Sequence, residues 1–143
     1  MYKRTIVGIK LGVGAISLLS FGIHHLFVRA NPQPSWFEDT VGTYQSEIWN
    51  DDSMVPGTTT FTQTADGDIE GSYTIEEADS LVSGTLSDCR HTASYTISCA
   101  WEDIYGVGTV TVAFSEDFSG FTGRWRLDDS SVAYQWNGVS GVE

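Results

Sequence analysis

The chain has 143 residues, 41% of them hydrophobic and 13% aromatic, which excludes a disordered polyelectrolyte. Its charge is split: residues 1–30 hold four basic residues and no acid (+4), while residues 31–143 hold three arginines, no lysine and all 19 acids (3 − 19 = −16), summing to −12. A block at −16 excludes binding to a nucleic-acid backbone, which needs basic groups to replace counterions, and roughly 110 residues supply one core, not two.

Residues 1–30 read as a transmembrane signal anchor. Lys3 and Arg4 give a basic start, and Leu11 to Val28 carries no formal charge over 18 residues, the lower limit for a spanning helix. Lys10 can snorkel and lengthen the span. Basic residues before the span and acids after it put the N-terminus in the cytoplasm and the bulk in the periplasm or its equivalent outside the membrane. A cleaved signal peptide ending at Val28-Arg29-Ala30 is the competing reading. Gly8 and Gly12 form a small-xxx-small pair that lets another helix approach. His24 and His25 lie near the outer end of the span; imidazole there can contact a haem or chlorin pigment, or simply sit in the wet interface. Residues 31–39, with Pro32 and Pro34, read as a stiff spacer.

From residue 40 to 143 two-residue alternation replaces helical periodicity. Apolar residues share a parity in Gly42, Tyr44 and Ile48, around Phe61, in Ile69, Tyr73 and Ile75, and in Val82 and Leu86. They do so again in Tyr95, Ile97, Cys99 and Trp101, in Val110, Val112 and Phe114, in Phe121, Trp125 and Leu127, and in Val132, Tyr134 and Trp136. Acidic turn signals separate them, such as Asp51-Asp52, Asp66-Gly67, Glu102-Asp103 and Asp128-Asp129. The expectation is an all-β fold: an antiparallel up-and-down barrel of about eight strands, with a two-sheet sandwich as runner-up. Ten inward rings favour a filled core over a ligand cavity.

Gly42-Thr-Tyr44, Asp66-Gly67 leading to Gly71-Ser-Tyr73, and Gly123-Arg-Trp125 resemble the Gly-x-aromatic strand openings of calycin barrels, the avidin-like and lipocalin-like proteins. The resemblance covers residues 40–138 and implies the eight-stranded meander. Tyrosine stands where the family's opening tryptophan is usual, and no ligand-contacting residue carries over.

Cys89 and Cys99 lie ten residues apart across a hairpin centred near residue 94, which points to a disulfide in an exported domain; two buried thiols is the alternative. Val82 and Leu86 are even and Cys89 is odd, so a bulge must intervene if Cys89 faces inward. Asp66-Gly67-Asp68-Ile69-Glu70 groups oxygen ligands but lacks a calcium-loop pattern, and no metal is expected. His91 is the domain's one histidine, Arg124 and Arg126 are expected to pair with neighbouring acids, and no nucleophile–base pair is legible. The expectation is therefore no enzyme and no cofactor beyond the haem or chlorin contact. The chain reads as an accessory or scaffold subunit, contacting the bilayer, other subunits of a membrane complex, and through its acids a basic soluble partner. A calycin-type carrier of a small apolar ligand is the alternative, and adaptation to high salt is the partner-free reading of the acids.

Overall fold

The computed structural model describes residues 32–141. Lys10, Gly8, Gly12, His24 and His25, and with them the expected anchor, lie outside the described residues. Among the described residues no helix is long and apolar enough to cross a membrane.

Among the described residues eight strands follow a 3-10 turn at Ser35–Thr40. They are β1 Gly42–Asn50, β2 Ser53–Gln63, β3 Ile69–Glu77, β4 Ser80–Ala93, β5 Thr96–Asp103, β6 Gly106–Phe114, β7 Gly120–Leu127 and β8 Tyr134–Ser140. Each pairs antiparallel with the next, and β8 closes on β1 through Tyr44 opposite Ser140 and Ile48 opposite Trp136. The result is a closed barrel, not a sandwich, compatible with the calycin-like resemblance. Closure satisfies every strand edge.

Alternation decides which side chains enter. Tyr44, Ser46 and Ile48 of β1 are buried, as are Gly57, Thr59 and Phe61 of β2 and Ile97, Cys99 and Trp101 of β5. The buried hydroxyls are paired: Ser46 Oγ and Thr59 Oγ1 share a 2.7 Å hydrogen bond, and the Trp136 indole donates to Thr59 Oγ1 at 3.0 Å. That removes the cost of burying them. Val132 lies outside β8 and is exposed, and Tyr95, Trp125 and Tyr134 are half-buried rather than fully inward.

The eight-stranded bore is too narrow for a ring on every inward position, and glycine makes room across the ladder. Tyr73 faces Gly84, Trp101 faces Gly108 and Phe121 faces Gly138 as direct cross-strand partners. In each pair the ring occupies the space a Cβ would take. The glycine two residues before an aromatic, singled out in the sequence, is a different position from the one that accommodates the ring.

The parity problem at Cys89 is resolved by a bulge. Ile69 pairs with Cys89 but Gly71 with Leu86, so β4 carries one extra residue. Asp88 sits there with φ 55°, a left-handed value aspartate tolerates. Cys89 thereby turns inward and bonds Cys99 on β5, with both sulfurs in the buried core.

The two ends differ. At the end where the chain enters, Tyr44, Phe61, Phe114 and Phe121 contact one another with ring centroids 5.3–6.1 Å apart. Phe37 is buried at 1% exposure, and Trp36 packs against Phe37, Tyr95 and Phe118. Gln33 Nε2 donates to Asp68 Oδ1 at 2.6 Å, clipping the entering chain to the β2–β3 turn. Within residues 31–39, read from sequence as spacer, the part from Gln33 onward belongs to the packed unit, because Phe37 has an apolar socket to fill.

Candidate functional site

The opposite end is an open mouth. The strand ends and connections there carry Asp51 and Asp52 after β1, Glu76 and Glu77 of β3 with Asp79 beyond it, Glu102 and Asp103 of β5, and Asp128 and Asp129 after β7. Exposed turns favour polar residues, and three of these four connections carry carboxylates. Below the rim a cavity of about 160 Å³ is lined by Ile48, Trp49, Tyr73, Ile75, Trp101, Asp103, Tyr105, Trp125 and Trp136, among others. The core is therefore filled at one end and hollow at the other. A wider outer depression of about 820 Å³ reaches from Trp49, Trp125 and Tyr134 to Asp51, Asp52, Glu76 and Glu77.

The cavity walls are held by their own polar atoms. The Trp101 indole donates to the Arg126 carbonyl at 3.1 Å, and the Trp125 indole to the Trp49 carbonyl at 3.1 Å. With Trp136 bonded to Thr59, the lining indole donors with assigned partners all point away from the hollow. Trp101 and Trp125 meet at 88° with centroids 5.5 Å apart, forming a corner, and Tyr134 lies 4.9 Å from Trp125.

Two carboxylates are fixed by tyrosines. Tyr73 donates its hydroxyl to Asp103 Oδ2 at 2.7 Å, and the Tyr105 backbone N–H donates to Asp103 Oδ1 at 2.8 Å. The Tyr105 hydroxyl donates to Glu77 Oε1 at 2.8 Å, and Asn50 Nδ2 to Glu77 Oε2 at 3.1 Å. Burial, then the hydrogen bond to Asp103 and its charge, holds the Tyr73 hydroxyl far above its ordinary pKa, so it serves as a donor and not a base. The bond to Glu77 raises Tyr105 first of all.

An apolar lip flanks the mouth on adjacent elements. Leu81 at the start of β4, Ile104 and Tyr105 in the β5–β6 turn, Val107 on β6 and Leu127 on β7 are exposed, Ile104 at 79%. A two-residue turn with apolar Ile104-Tyr105 departs from the acidic turns around it, and that departure was the signal available in the sequence.

The other candidate residues lie elsewhere. Cys89 and Cys99 are bonded to each other, which removes both thiols from nucleophilic chemistry. His91 is exposed, edge-on to Phe37 at the plugged end. Asp66, Asp68 and Glu70 are at that same end, and among the described residues no three His, Cys, Asp or Glu side chains gather as a metal site. Arg126 donates to the Leu127 and Ser130 carbonyls, so it is bonded to backbone and not to an acid. Among the described residues the ion pair formed is Arg90 with Asp88, at 3.4 Å and exposed. No protein-family model, curated protein or solved structure matches the chain.

Proposed function

We propose that the chain is a non-catalytic accessory subunit of a membrane complex, tethered through residues 1–30, whose extracytoplasmic barrel docks a partner at its mouth. The observation that carries this reading is the apolar lip of Leu81, Ile104, Tyr105, Val107 and Leu127 beside an acidic rim. Exposed apolar side chains grouped at one end of a small domain mark a contact surface, and the surrounding carboxylates select a partner with basic groups. The lip lies at the end of the barrel opposite Gln33 and the β2–β3 turn. The Cys89–Cys99 bond supports an oxidising compartment, and the basic start followed by an acidic bulk supports the outward orientation. Helix packing through Gly8 and Gly12, and pigment contact through His24 and His25, rest on the sequence alone.

The calycin-like resemblance supports a second reading, a carrier of a small apolar ligand. Its supporting observation is the aromatic cavity, but about 160 Å³ falls short of the roughly 300–1,000 Å³ of drug-sized ligand sites. Purification of the native protein in mild detergent, with identification of all that accompanies it, separates the two. Stoichiometric companion subunits support the docking reading; a lone protein carrying an apolar molecule supports the carrier.

A further inference from the structure

We propose that the mouth cavity binds a quaternary ammonium head group. The inference goes beyond the docking reading and concerns the cavity beneath the lip, with which it shares Tyr105 and Leu127. The walls are Trp49, Trp101, Trp125, Trp136 and Tyr73, with Asp103 beside them. Aromatic rings enclosing a cation attract it through their quadrupoles, and desolvation strengthens the attraction.

Three features narrow the ligand class. The indole donors of Trp101, Trp125 and Trp136 are committed to Arg126, Trp49 and Thr59, so these three walls present rings rather than N–H groups. Arg126 is bonded to backbone carbonyls and no basic side chain lines the cavity, so anions have no countercharge. Each oxygen of Asp103 and Glu77 already accepts one hydrogen bond from the protein, Asp103 from Tyr73 and the Tyr105 N–H and Glu77 from Tyr105 and Asn50, so few acceptors stand beside the rings. A primary ammonium needs acceptors to replace its water. A quaternary ammonium needs none, and requires only negative potential and polarisable walls. The volume of about 160 Å³ suits a trimethylammonium group and little more.

The test uses the full chain in a maltoside detergent at fixed ionic strength, with choline as probe and 3,3-dimethylbutan-1-ol as its uncharged isostere. Tryptophan fluorescence and calorimetry report binding. Choline is expected to bind saturably, one to one, at least about tenfold tighter than the isostere. D103N, which keeps the shape and removes the charge, is expected to weaken choline by about tenfold and leave the isostere unchanged. W125F is expected to retain choline binding and W125L to lose most of it, with circular dichroism confirming the fold of each. Competition by phosphatidylcholine nanodiscs assigns the head group to a lipid, and its absence assigns it to a free solute; both outcomes require the cation site. Equal binding of choline and isostere overturns the proposal in favour of an apolar pocket. Absence of saturation up to about 50 mM choline in a folded protein overturns it as well.

Discussion

Trp101 and Gly108 face each other across β5 and β6, and the indole Nε1 lies 2.6 Å from where a Cβ on residue 108 would stand. The same Cβ would strike the Arg126 carbonyl, which is the oxygen that accepts the Trp101 N–H. One glycine therefore sets both the depth of the ring and the bond that holds it. Gly108→Ala is expected to cost about 1–3 kcal/mol, as overpacking in a tight core does. It is also expected to alter the near-ultraviolet circular dichroism of the tryptophans, and denaturant unfolding measures the loss.

The strands were legible because a closed barrel with a buried interior enforces strict alternation, and acidic turns punctuated it. The bulge was legible from the odd parity of Cys89 against Val82 and Leu86, although its position at Asp88 was not. The plug was missed: Trp36 and Phe37 follow two prolines, and nothing local reveals that a barrel end awaits a ring. The mouth was missed for a similar reason. Trp101, Trp125 and Trp136 alternate like core residues, and whether rings fill an interior or leave a hollow depends on which glycines oppose them across strands. Arg126 was expected to pair with an acid, but the β7–β8 turn brings carbonyls nearer.

The Cys89–Cys99 bond staples β4 to β5 at the bulge, where the ladder is interrupted. Replacing both cysteines with serine is expected to cost about 2–3 kcal/mol, the amount a short closed loop contributes. The unfolded, unreduced protein is expected to show no free thiol on labelling.

Phe37 closes the plugged end. Phe37→Ala is expected to cost about 3–5 kcal/mol, comparable to losing a core aromatic. Thr40 Oγ1 donates to the Phe37 carbonyl at 2.7 Å, and Tyr44 donates to the Thr40 carbonyl at 3.0 Å, so Thr40→Val is expected to loosen the same turn. Thermal unfolding of the two variants checks this.

Burial pushes the Tyr44 hydroxyl from 10.0 up to about 12, and Tyr73 is raised further in the same direction. The folded state holds these protons more tightly than the unfolded state. Their contribution to stability is therefore whole below pH 10.0 and declines as pH rises from there through about 12. Denaturant midpoints are expected to be flat up to that limit as far as these groups are concerned, then to fall. Spectrophotometric titration is expected to show Tyr44 and Tyr73 ionising only as the barrel opens.

The mouth is the proposed docking face. A photo-reactive amino acid at position 104, in the exposed lip, is compared in native membranes with one at position 62, on the exposed wall near the plugged end. A discrete cross-linked partner from position 104 and none from position 62 is the expected result. No adduct at position 104, or the same adduct from both positions, would contradict the account.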